Sequence, residues 1–203
     1  MVRSGFFDSI DGDRLYIADD LSGFFYGLYS DGVSVQETAL QVEPYSGLYV
    51  KVNAGYGLIS GKYVRNEGTL VRELEAPDLL FDRIDRVVLR LDTDARCIGI
   101  EIKQGTAAAS PMAPGLTRSG GVYELSLAQV SVAAGATDIT GADITDERDD
   151  DTVCGRIRCL CCNGGTGDYI PHGMIIPIMS GNAGEAGING TYRTISESQE
   201  AHV

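Results

Sequence analysis

From Leu40 to about Val132 the apolar residues recur at every second position, the spacing that puts one face of a β-strand into a core. "GLYVKVNAG" sets Leu48, Val50 and Val52 against Tyr49 and Lys51. "GLISGKYV" reads as a hairpin with its turn near Ser60-Gly61, and "TLVRELE" as a further strand. "CIGIEIKQG" lines up Ile98, Ile100 and Ile102, with "TDA" at 93–95 turning the chain before it. "VYELSLAQVSV" begins with Tyr123, Leu125 and Leu127 on one side, and its phase slips near Ala128-Gln129, as at a β-bulge. Short strands punctuated by turn signals predict an all-β fold, an antiparallel β-sandwich or barrel.

One strand stands apart. In "FDRIDRVVLRLD", residues 81–92, charges of both signs interleave with Ile84, Val87, Val88, Leu89 and Leu91. Alternation puts Val87, Leu89 and Leu91 on a core face and Arg86, Val88, Arg90 and Asp92 on the other. The second face is expected to pair across strands or to meet a partner.

The period differs on either side of this region. Residues 1–17 form an irregular arm carrying Phe6 and Phe7, with a turn signal at "DGDR". In "ADDLSGFFYGLY", Leu21, Phe24, Phe25 and Leu28 fall at i, i+3, i+4 and i+7 behind Asp19 and Asp20, which predicts a short helix over 18–29 despite Gly23 and Gly27. "TAAASPMAPGLTRSGG" is a long loop, and "TDIT" followed by "ADIT" is too short an echo to be a repeat architecture. "DERDDDTV" lacks the spacing and glycine of a calcium loop and reads as a solvated boundary near residue 150. The expected organisation is an N-terminal arm and short helix over 1–30, an antiparallel β-domain over 31–150 and a glycine-rich C-terminal segment over 151–203. Within the last, glycines 181, 184, 187 and 190 have collagen-like spacing, but three proline-free triplets would not hold a triple helix.

Charge narrows the function. A formal net charge of −13, with scattered lysines and arginines, argues against nucleic acid as a partner. No apolar run reaches membrane-spanning length, and "MVRSGFFDSIDGDR" lacks a signal-peptide core, so membrane insertion is not expected and the chain is expected to fold in a reducing cytoplasm. Five cysteines, an odd number, argue against a disulfide framework. Cys97 is expected to be an inert strand residue.

Candidate chemistry is sparse. "GYGLISGKY" is one residue short of a phosphate-binding loop and carries Tyr63 where a hydroxyl ligand for magnesium belongs. "CGRIRCLCCNGG" with His172 offers zinc-ligand types, but adjacent Cys161 and Cys162 fit one tetrahedral ion poorly beside Cys154 and Cys159, so no metal and no cofactor are expected. His172 and His202 are the sole histidines and no G-x-S-x-G elbow occurs, so no catalytic residues and no enzyme activity are expected.

The ordered set "FFDSIDGDRLYIADD", "RIDRVVLRLD", "IKQGT", "SPMAPGLTR", "VYELSLAQVSVAAGAT" and "DITDER" followed by "CGRI" resembles the N-terminal region of tail structural proteins from phages and prophages of Gram-positive bacteria. Such proteins are described as baseplate upper proteins, receptor-binding-protein anchors or tail-fibre proteins. The resemblance covers roughly residues 5 to 158. It implies a virion part assembled in the bacterial host cytoplasm that links the tail tip to fibres or host-binding parts. It also implies a homo-oligomer, most often a trimer, in contact with other tail or baseplate proteins. Residues 159–203 fall outside the pattern. Phe6, Phe7, Arg14 and Tyr16, residue types enriched at interface anchors, are the candidate contacts of the arm, and Arg86 and Arg90 those of the charged strand face. The arm is expected to face the tail, with residues 159–203 pointing away from it. The alternative expectation is a carbohydrate-binding β-module touching host cell-wall glycan.

Overall fold

The structure, a computed structural model, describes residues 5–13 and 15–160. The chain starts with helix α1 (Ala18–Leu28), followed by strands β1 (Gly32–Val33), β2 (Val42–Pro44), β3 (Tyr49–Val52), β4 (Gly55–Ile59), β5 (Lys62–Asn66) and β6 (Leu70–Glu73). Then come β7 (Arg83–Asp92), β8 (Cys97–Lys103), β9 (Arg118–Ser119), β10 (Val122–Val132) and β11 (Ile144–Asp146). All strand pairs are antiparallel and form three sheets, ordered β1-β4-β5, β2-β3-β6 and β11-β10-β7-β8 with β9 beside β10. The fold is all-β with one short helix, and the sheets do not close into a barrel.

The long pair β7–β10 is the spine. Leu89 faces Leu125, Leu91 faces Tyr123 and Val87 faces Ala128, with the register slipping between Ser126 and Ala128. That bulge restores phase, so Leu125, Leu127 and Val130 all reach the core. The two small sheets supply Val33, Val42, Val50, Val52 and Ile59 to the same core, and the turn before β2 adds Leu40. β4 comes so close to β7 that a Cβ on Gly57 would stand 2.8 Å from Leu89 Cδ1. Ser60 and Gly61, both at positive φ, make the tight β4–β5 turn that the sequence predicts.

The other face of the large sheet is covered too. Val88 is 1% exposed and Arg86 8%. The 104–117 loop lies across this face because the sheet's polar side chains hold it. Arg86 Nη1 donates to Pro114 O at 2.9 Å, Glu124 accepts from Thr117 N at 2.6 Å, and Lys103 Nζ donates to Thr117 Oγ1 at 2.9 Å. Cross-strand pairing therefore consumes the charged strand face. Arg90, opposite Glu124 in register, reaches its carboxylate at 2.6 Å, and Arg86 lies 3.3 Å from Glu147. On the core face the pleat buries a second pair, with Arg83 Nε bonding both oxygens of Asp85 at 3.0 and 3.1 Å. The remaining donors of Arg83 go to Ala76 O and Glu75 O, and Asp85 accepts from Gly105 N. Such a pair is tolerated in a core because its hydrogen bonds are complete.

The expected boundary near residue 150 is not where this folded unit ends; residues 151–160 still belong to it. The acidic run is largely solvent-exposed but is not a linker, because its carboxylates pair with arginines of the same unit. Asp146 bonds Arg148, Asp149 bonds Arg156 and Asp151 bonds Arg158. Arg148, 2% exposed, also donates to Glu37 O and Ala39 O, tying the run to the turn between β1 and β2. Beyond it the chain returns to its own beginning in a short clasp: Val33 N donates to Gly155 O, Ile157 N to Val33 O and Ser30 N to Arg158 O, at 2.8–3.0 Å. Cys154 joins the core there. Cys97 is exposed at the start of β8, where the sequence suggested an inert strand position.

Candidate functional site

The arm and α1 make the surface that the core leaves over. In the arm, Asp11 and Gly12 at positive φ reverse the chain, and Asp13 Oδ1 accepts from Ile10 N at 2.7 Å. Tyr16 then folds back on the other limb: its hydroxyl accepts from Phe7 N at 2.8 Å and donates to Phe7 O at 2.9 Å. Ile17 caps helix α1, and its N–H is taken by Asp20 Oδ2. The Phe6 ring stacks on Tyr16 at 6.0 Å and meets Phe24 of the helix edge-on at 4.9 Å, and Phe24 meets Phe25 at 5.9 Å. The arm is thus pinned to the helix through aromatic contacts.

No residue of α1 is buried. Its i, i+3, i+4 spacing forms the helix, yet Leu21, Phe24 and Phe25 remain open, as do Phe6, Ile10 and Leu15, the last at 88% exposure. The helix is anchored by its small-residue side. Gly61, in the β4–β5 turn, lies so close that a Cβ there would stand 1.8 Å from Ser22 O. Lys62 Nζ donates to Ser22 Oγ at 3.3 Å and sits 3.7 Å from Asp19. Between the helix and the sheet a groove of about 310 Å³ is walled by Phe25, Tyr29, Val35, Tyr56, Leu58 and Ile157. Tyr56 is stacked on exposed Tyr63 at 5.4 Å with rings 7° apart.

A second cavity, about 550 Å³, lies beside the clasp, lined by Asp31, Asp151, Cys154, Arg156 and Arg158 among others. Its buried Cys154 is not an activated nucleophile. Burial pushes the Cys154 thiol up to about 12, and both guanidinium groups are paired with carboxylates. Burial also raises Asp31, although its carboxylate accepts from Ser60 N. Among the described residues no group of three or more His, Cys, Asp or Glu side chains is placed to hold a metal ion.

The sequence-predicted residues divide accordingly. Phe6, Phe7 and Tyr16 share the arm, and the structure adds Phe24, Phe25 and the stacked tyrosines to them. Arg14, Cys161, Cys162, His172 and the glycine triplets lie outside the described residues. Arg86 is corrected: its guanidinium is spent inside the chain on Glu147 and Pro114, and it offers little to a neighbour. Arg90 keeps partial exposure but is held by Glu124 and Glu101. Sequence reasoning missed Tyr56 and Tyr63, whose only signal is their diagonal placement across a predicted hairpin. No protein-family model, curated protein or solved structure matches the chain.

Proposed function

We propose that this chain is a non-enzymatic structural component of a phage or prophage tail or baseplate, linking the tail tip to fibres or host-binding parts within an oligomer, most often a trimer, of itself. The observation that carries the proposal is the ordered arm and helix, with Phe6, Tyr16 and Phe24 in mutual contact yet open to solvent on a β-domain whose core is already filled. Exposed apolar patches of this kind mark interaction surfaces. The resemblance of residues 5 to 158 to tail proteins supplies the setting. Deleting residues 1–17 tests it: the truncated protein keeps its melting temperature but fails to enter tail particles. Normal incorporation, or early melting of the β-domain, counts against the arm as the tail-facing contact.

The Tyr56–Tyr63 stack favours one second reading, a carbohydrate-binding module that lays a sugar ring on an exposed tyrosine face. A glycan array separates the two. Sharp binding to a cell-wall glycan that Tyr63→Ser abolishes supports the module and not the adaptor.

A further inference from the structure

The arm and helix carry ten open large apolar side chains between Phe6 and Tyr26. An aromatic side chain presents roughly 150–250 Å² when free and an aliphatic one somewhat less, so at about half exposure the ten together offer on the order of 1,000 Å². A stable interface needs about 800 Å² from each partner. The exposed apolar area of the arm and helix suffices for one, and the remaining matter is what covers it.

Charge answers that. Residues 5–28 contain five aspartates and one arginine, and although Lys62 stands 3.7 Å from Asp19 the surround of these side chains remains net acidic. A second copy docked face to face would bring the same aspartates against these, since a twofold contact matches a patch with itself. A copy docked by another surface would have to supply a basic rim. The whole chain has 16 Lys and Arg against 29 Asp and Glu, and Arg83, Arg86, Arg148, Arg156 and Arg158 are already bound to carboxylates.

We infer that this face receives a different protein, through an amphipathic segment that is apolar on one side and flanked by Lys and Arg. The groove walled by Phe25, Tyr29 and Tyr56 adjoins the aromatic cluster through Phe25 and has room for one anchor side chain of that segment. The inference rests on the docking reading above and adds the chemistry of the partner.

The test uses the full chain and two labelled amphipathic helical peptides with the same leucine face, one with lysine and one with glutamate at every polar position, read by fluorescence anisotropy. The lysine peptide binds at least about tenfold more tightly, because rim charges set selectivity. Its binding weakens as salt rises, since exposed pairs are screened. Asp8→Asn/Asp11→Asn narrows the gap between the peptides, and Phe6→Ser/Phe24→Ser, both at exposed positions, abolishes binding without lowering the melting temperature. Equal binding of the two peptides, or none, overturns the inference. So does lysine-peptide binding that survives Phe6→Ser/Phe24→Ser, which would be general attraction to an acidic chain. Self-association of the chain that the same double variant disperses would make a second copy the occupant, and overturns it as well. Incorporation into tail particles separates this from the parent reading. If peptide selectivity fails while Phe6→Ser/Phe24→Ser still blocks incorporation, only the basic partner falls; if the double variant incorporates normally, the docking reading falls.

Discussion

Glu124 is 1% exposed and serves three donors at once: Arg90 at 2.6 Å, Lys103 at 2.7 Å and Thr117 N at 2.6 Å. Burial alone would raise its carboxyl above the ordinary 4.5, but the hydrogen bonds from Lys103, Thr117 and Arg90 outweigh it and hold the group below that value. A carboxyl that titrates lower in the folded than in the unfolded chain stabilises the fold above its unfolded value and loses that contribution as pH falls through the folded one. Chemical denaturation at several pH values below about 5 should therefore show falling stability, with a shallower fall in Glu124→Gln. At neutral pH that variant is expected to lose about 1.5–3 kcal/mol, the range for hydrogen bonds to charged groups. An unchanged acid slope would remove Glu124 as the keystone of the 104–117 loop. The sequence makes the charges of β7 conspicuous but not their partners. Arg86 meets Glu147 and Arg90 meets Glu124 because strands and loops distant in sequence fold together, and alternation says only which face each side chain takes.

At the scale of elements the sequence was most readable where period and turn chemistry agree. The helix, the Ser60-Gly61 hairpin, the turn after Asp92 and the slip in β10 all fall within a residue or two of their signals. Two-residue strands such as β1 and β9 have no period to read, and the clasp between residues 30–33 and 155–158 pairs segments too far apart for any local signal. The acidic run looked like a boundary because the arginines that neutralise it are spread over Arg148, Arg156 and Arg158. The helix seam yields a prediction. Gly61 has φ +70° and no room for a Cβ against Ser22 O. Gly61→Ala is expected to cost about 1–2 kcal/mol in the left-handed turn and to lift α1 off the sheet. Amide exchange should speed up across 18–28 while β7 and β10 keep their protection. Uniform loss of protection would mean that the helix and sheet unfold as one unit.

For the whole molecule, the resemblance to tail proteins implies a trimer, and the structure withdraws one surface proposed for it, the charged face of β7. If the arm and helix are reserved for a basic partner, the trimer must form elsewhere. Light scattering coupled to gel filtration at tens of micromolar is then expected to report three chains, and Phe6→Ser/Phe24→Ser to leave that mass unchanged. A monomer mass would count against the trimer, and a mass that falls with the double variant would move the self-contact onto the arm.

The clasp also bears on how the molecule would carry tension. Residues 30–33 lie beside 155–158, so the chain enters and leaves the β-domain at one place. A pull applied through the arm and drawn off beyond residue 160 would load those few backbone bonds first and bypass the long β7–β10 ladder. The domain would hang to the side of the line of force with its core unstrained, and the clasp would be the link that gives way.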